Sequence, residues 1–183
     1  MVQRCGETRQ VELVYGEAYF DVSPSTEHNG TTFQVINKEQ NVEVLGTEFN
    51  MKAYKDETTI YTTLIEGKVA INYSNNKKYL IPNQQSTYNT TNNTFKINTV
   101  EVYNEIAWKE GIFSFEDKKL EEIMKVLSRW YDMDVVFGKP ELKSVEFLGK
   151  LKKKQRIEEI LSAIKNASII NDYEIKNKTI VLK

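Results

Sequence analysis

Twice in the first fifty residues a glycine interrupts an alternation of apolar and polar side chains, and the alternation resumes in the opposite phase. In VELVYGEAYFDV, Val11, Leu13 and Tyr15 share one parity; Ala18 and Phe20 share the other, with Gly16 between them. In VEVLGTEFNM, Val42 and Val44 come before the change at Leu45-Gly46-Thr47, and Phe49 and Met51 come after it. A period of two marks a half-buried strand, and a one-residue slip turns every later side chain to the other face. A glycine at the slip lets the backbone bend or bulge, so Val44 and Phe49 can both face one core. Gly46-Thr47-Glu48 could also form a catalytic turn. The same flip at Gly16 favours a recurring structural corner.

The strand pattern continues to about residue 102. TTFQVI is a short strand after the HNG turn. TTIYTTLIEGKVAINY is two strands around Glu66-Gly67, rich in Thr, Ile, Tyr and Val. NNKKYLIPNQQS ends a strand at Pro82, and Asn92-Asn93 marks a further turn. Helical periodicity is absent from this half. The pattern predicts a mainly β domain, a sandwich, barrel or solenoid.

The character changes near Asn104. GIFSF is a strand, and DKKLEEIMKVLSRWYD follows with Leu120, Ile123, Met124, Leu127 and Tyr131 on one helical face. Asp117 is the expected N-cap. MDVVFG and SVEFLGKL are strands. A second helix buries Ile157, Ile160, Leu161, Ile164 and Ala167 or Ser168, and a hairpin turning at Asn177-Lys178 closes the chain. LEEIM and IEEIL lie 37 residues apart. The spacing predicts a small α+β domain of two βαβ-like halves. The expected domains are 1–104 and 105–183. Trp108 falls at their junction, where burying a large ring would lock the two together.

Little in the chain points to catalysis. The 183 residues carry a net charge of −1, with 40% hydrophobic and 28% charged residues, which fits a globular chain with no general pull toward nucleic acid. Cys5 and His28 are the only residues of their kinds, so neither an internal disulfide nor a cysteine-based metal cluster is available. His28 sits in the polar turn STEHNG and reads as solvated. No phosphate-binding glycine loop and no G-x-S-x-G elbow occurs. The paired acids of YKDET and YDMD lack a calcium-loop pattern. Glu17, Asp21, Glu48 and Glu66 lie near strand ends, where two could pair for glycoside hydrolysis, so a carbohydrate-binding or glycan-active domain is the alternative reading. KLKKKQR, Lys150 to Arg156, reads as a solvated loop leading into the second helix, or as a charged surface for a protein partner. Trp130 reads as core. No cofactor is expected.

RQVELVYGEAYFDV, TFQVI, VEVLGTEFNMKAY, TTLIEGKVAI and YLIPNQQ, in this order and spacing, resemble the periplasmic FecR domain of anti-sigma regulators. IAWKEGIFSFEDKKLEEIMKVLSRWYDMDVVF and FLGKL resemble the C-terminal domain attached to it in Bacteroidetes proteins, which is similar to the short N-terminal fold of secretins and TonB-dependent transporters. The resemblance implies a non-enzymatic module of an inner-membrane, single-span regulator. Its periplasmic part would read the signalling domain of a TonB-dependent outer-membrane transporter, and a segment outside this chain would hold an extracytoplasmic-function sigma factor. It also implies strands ahead of Arg9 that this chain lacks. The Pro82-Asn83-Gln84-Gln85 turn departs from the family's Pro-Gly-Glu-Gln, and Asn83 must then tolerate positive φ. The expected docking segment is Val145, Glu146, Phe147, Leu148 and Lys150, an alternating strand leading into the basic run. Gly16, Gly46, Gly67 and Trp108 are the expected structural positions.

Overall fold

The computed structural model describes residues 2–4 and 9–183; Cys5 lies outside them. The chain divides into two compact units, Met1–Ile106 and Ala107–Lys183. The first holds strands β1 (Val2–Arg4), β2 (Gln10–Leu13), β3 (Gly16–Val22), β4 (Phe33–Asn37), β5 (Gln40–Val44), β6 (Thr47–Ala53), β7 (Thr59–Glu66), β8 (Val69–Tyr73), β9 (Asn76–Leu80), β10 (Gln84–Asn89) and β11 (Thr94–Thr99). These strands form a six-stranded sheet of order β1-β2-β4-β5-β8-β9 and a five-stranded sheet of order β11-β10-β7-β6-β3. Neighbours are antiparallel except β2 and β4, which are parallel.

The order of the strands explains the phase flips. The chain makes one or two strands in one sheet, then crosses to the other. Gly16 opens β3 after the crossing from β2, Gly46 stands between β5 and β6, and Gly67 between β7 and β8; each of these is a change of sheet. Residues on both sides of a crossing therefore face the same interior. Val44 and Phe49 are both buried, in one core with Leu13, Val35, Val42, Met51, Leu64, Val69, Ile71 and Tyr88. Two sheets over one core make this unit a sandwich.

The crossings depend on unusual backbone and close approach. Gly46 has φ 156° and Gly67 has φ 91°. A Cβ on Gly46 would lie 2.8 Å from the Pro24 Cα, and one on Gly67 would lie 2.6 Å from the Gly46 carbonyl oxygen. Thr47 Oγ1 donates across the same corner to the Lys68 carbonyl at 3.1 Å. Asn83, at the β9–β10 crossing, adopts φ 67°. Within a sheet the turns are ordinary hairpins: Ser74 and Asn75, both at positive φ, join β8 to β9 as in a type I′ turn. Helical structure is not absent from this unit. Ser25–His28 forms a 3-10 turn, and α1 (Val102–Ile106) forms where the strand pattern ends. β1 pairs antiparallel with β2, a strand the sequence pattern did not indicate.

The second unit holds β12 (Ile112–Lys119), α2 (Leu120–Tyr131), β13 (Asp134–Phe137), β14 (Glu146–Lys152), α3 (Ile157–Asn166), β15 (Tyr173–Lys176) and β16 (Thr179–Leu182). Leu120, Ile123, Met124 and Leu127 of α2 and Ile157, Ile160, Leu161 and Ile164 of α3 are buried with Phe113, Phe115, Leu151, Ile180 and Leu182. Each such side chain contributes roughly 1.5–3 kcal/mol. Three expectations need correction. The α2 N-cap is Lys119 in extended backbone, not Asp117, because β12 runs on through Lys119. Helix α3 ends at Asn166, leaving Ala167 and Ser168 exposed. Each half does run strand, helix, strand, but the strands of a half lie in different sheets: β12 pairs antiparallel with β14, and β13 pairs parallel with β16, which also pairs with β15. Each sheet of this unit is thus completed by strands from both halves.

The corner yields a stability prediction. Gly67→Ala and Gly46→Val are each expected to lower the unfolding free energy by about 2 kcal/mol or more, through steric overlap and an ill-suited backbone. Urea denaturation followed by circular dichroism measures this; an unchanged midpoint for both variants would refute the close-approach argument.

Candidate functional site

In a strand, the backbone amide and carbonyl of successive residues point to alternate sides. The Lys153 amide donates to the Gly111 carbonyl at 2.8 Å, and the Leu120 amide donates to the Val145 carbonyl at 2.7 Å. Lys152, Lys150, Leu148 and Glu146 therefore turn their backbone groups away from β12, toward the open side of β14. Among the described residues β14 pairs with β12 alone. The same four residues carry exposed side chains, while Phe147 and Leu151 pack into the core. Leu148 is 72% exposed, the most exposed large apolar side chain described.

Three local features shape this edge. A bulge in β12 between Phe115 and Lys118 lies opposite Leu148. The Phe147 ring lies over Gly149, where a Cβ would meet ring carbons at 2.8 Å, so glycine there lets the ring fold down onto the core. At the far end the Lys152 amide donates to Gln155 Oε1 at 2.8 Å, which closes the open run of backbone groups. Val145 does not belong to the strand. It ends the 3-10 turn Pro140–Ser144, and its side chain packs against the core. Glu146, Phe147, Leu148 and Lys150 are brought together on β14.

The basic run is part strand and part turn. Lys150 and Lys152 are on β14, Lys153 to Gln155 turn the chain, and Arg156 precedes α3, its amide donating to the Glu159 carboxylate at 3.3 Å. Lys153 places its ammonium 4.0 Å from the centre of the Trp130 ring, which packs edge-on against Phe113 at 4.6 Å. Tyr131 donates to the Gln155 carbonyl at 2.8 Å and so ties the turn to α2. Trp108 lies in the 3-10 turn Ala107–Glu110, its indole nitrogen buried without a hydrogen-bond partner among the described groups.

The carboxylates considered for glycoside hydrolysis fall on the outer face of the five-stranded sheet. Asp21, Glu48 and Glu66 lie in one row across β3, β6 and β7. Tyr19 donates to the Glu48 carboxylate, and burial together with Glu48 pushes the Tyr19 hydroxyl far above its usual range. Glu17 stands apart, opposite Lys52. It accepts from Asn50 Nδ2 at 2.9 Å and from the Tyr54 hydroxyl at 3.1 Å. Burial raises its pKa, Lys52 and the two hydrogen bonds oppose the rise, and Glu105 adds to it. Asp21, Glu48 and Glu66 are cross-strand neighbours on a single sheet, with Glu48 held by Tyr19, while Glu17 is held separately by Asn50 and Tyr54. The row of three sits on one sheet face with its side chains directed the same way. His28 is exposed, with Nε2 2.7 Å from Ser23 Oγ. Among the described residues no group of three His, Cys, Asp or Glu is placed to hold a metal ion, and no helix is long and apolar enough to cross a membrane.

Sequence reasoning found β14 from its alternation. It missed the Gln155 lock, which is a side-chain contact formed by a turn, and the Glu17–Asn50–Tyr54 set, whose members come together only through the pairing of β3 with β6.

Residues 3–70 match the family model for FecR protein, and residues 112–182 match the model for FecR, C-terminal. A crystal structure of a candidate anti-sigma factor from Parabacteroides distasonis ATCC 8503 superposes with a TM-score of 0.83 and 26% identity, covering 99% of this chain and 82% of that one. A second crystal structure from the same organism, likewise of a candidate anti-sigma factor, gives 0.79 and 28%, covering 94% and 78%. No curated protein matches the chain.

Two variants on the outer sheet face separate its electrostatics. Glu48→Gln keeps an acceptor for Tyr19 and removes the middle charge of the Asp21–Glu48–Glu66 row. It is expected to raise Tm at low salt and to lose that advantage in about 1 M NaCl. Glu17 binds its proton more tightly when folded, so it stabilises the fold at acid pH and that contribution fades as pH rises through its raised pKa. The Tm difference between Glu17→Gln and the parent chain is expected to move in the variant's favour between acid and neutral pH. A pH-independent difference would contradict this.

Proposed function

Since the chain belongs to the FecR family of anti-sigma regulators, we propose that it is the periplasmic part of such a regulator, sensing the signalling domain of a TonB-dependent outer-membrane transporter and controlling an extracytoplasmic-function sigma factor. The family is one of regulators, not of enzymes. In this reading residues 1–104 form the scaffold domain and residues 105–183 the docking domain. The sigma factor is held by a segment outside this chain, in a full-length protein anchored by one span of the inner membrane.

The observation that carries the docking assignment is β14. A strand with one partner, a side of outward backbone groups and an exposed leucine at its centre is suited to accept a further strand. Glu146 to Lys150 forms the contact, and Val145 serves the core beneath it. The order of the two FecR domains supports the regulatory role, since the FecR and FecR C-terminal models match in tandem along the chain.

Titration calorimetry of the 183-residue chain against the purified signalling domain of its proposed TonB-dependent transporter tests this. Saturable binding is expected, weakened tenfold or more by Leu148→Glu, with Tm unchanged because the side chain is exposed. Absence of binding, or binding indifferent to Leu148→Glu, would refute docking at β14.

A further inference from the structure

The charge along β14 specifies the chemistry of the strand it takes. Resting on the docking role argued above, we infer that the partner segment is an acidic extended peptide of about five residues, with an apolar side chain beside Leu148 and carboxylates beside Lys150 and Lys152. The length follows from the geometry. Outward backbone groups begin at Glu146, and at Lys152 the amide is already taken by Gln155 Oε1 at 2.8 Å. Strand addition therefore runs over Glu146 to Lys150, with the Lys152 side chain reaching past the end of the backbone pairing.

The sign follows from the side chains. Between Lys150 and Arg156 there are five basic side chains and no acid, while Glu146 is the one acid on the strand. Lys150, Lys152, Lys153, Lys154 and Arg156 are exposed. Carboxylates opposite lysines on a cross-strand pair are favourable, and like charges there are unfavourable. Charge on this scale selects partners and speeds encounter more than it adds affinity. Leu148, on the same face, gives the apolar contact that fixes register.

A second copy of the chain is a poorer occupant. Antiparallel self-pairing centred on Leu148 would set Glu146 against Lys150 but leave Lys152 opposite Ser144, in a 3-10 turn, with no carboxylate to meet it. An anionic membrane would satisfy the lysines but leave the row of outward amides and carbonyls unpaired.

The experiment uses the whole chain and three synthetic nonapeptides: one alternating Glu with Val, one alternating Lys with Val, and the Glu/Val peptide N-methylated at every second residue. Amide chemical shifts of the isotopically labelled protein report binding, and phosphatidylglycerol vesicles are titrated in parallel. The Glu/Val peptide is expected to shift residues 146–150 and to bind at least tenfold more tightly than the Lys/Val peptide. N-methylation of the edge-facing amides is expected to cost tenfold or more, and Lys150→Glu with Lys152→Glu is expected to invert the preference. Equal binding of the methylated peptide would reduce the site to charge attraction and overturn strand addition. Binding by vesicles alone, or a protein that self-associates through β14 and ignores peptides, would overturn the inference. If peptides fail while the transporter's signalling domain still binds through Leu148, the docking role stands and the acidic-strand inference falls.

Discussion

Pro24, Gly46 and Gly67 meet where three of the chain's crossings between sheets come together. Pro24 lies on the β3–β4 connection, Gly46 on β5–β6 and Gly67 on β7–β8. The contacts are close enough that a single methyl group at either glycine would overlap backbone atoms, at 2.8 and 2.6 Å. The Ser25 amide donates to the Leu45 carbonyl and Thr47 Oγ1 to the Lys68 carbonyl, so the connections are hydrogen-bonded as well as packed. A sandwich whose strands alternate between sheets must cross repeatedly, and every crossing sets the register of the strands after it. Fixing three at one point aligns Val44, Phe49, Leu64 and Val69 on the same interior.

Much of this was legible in the sequence for a physical reason. A strand has a two-residue period and sheet interiors are apolar, so a change of phase is written directly into the residue pattern at Gly16 and Gly46. What the pattern could not say is that the flip is a change of sheet, because a bulge within one strand gives the same parity shift. The α2 boundary was misread at Asp117 because capping preference is local, whereas pairing of Lys118 and Lys119 with β14 is not. The halves of the second unit were visible as helix periodicity, but which strands pair depends on contacts across the halves. Val102–Ile106 became helical although its residues resemble a strand end, and α1 packs near β7, a tertiary contact that propensity does not report.

Strand β14 was partly legible for similar reasons. Alternation located β14, since Phe147 and Leu151 must face the core. It did not reveal that the other edge is open, because openness is a property of the sheet's order and not of the strand. Nor did it exclude Val145, whose apolar side chain fits the alternation but whose backbone closes a 3-10 turn and accepts from Leu120.

An open edge carrying an exposed leucine is ordinarily a liability, since unpaired backbone groups invite association between copies. Lysines beside such an edge are a common remedy, because two like-charged strands repel. In the docking role proposed for β14, the remedy and the recognition are the same residues. Lys150 and Lys152, with the turn that follows, penalise pairing with another basic strand and leave an acidic strand as the favourable neighbour. Gln155 limits how far that pairing extends, and the bulge in β12 interrupts the opposite edge, so the ribbon presents one short segment for addition. A site built this way needs no pocket and no catalytic group. In the proposed docking role its specificity rests on register at Leu148 and on the sign of charge beyond it.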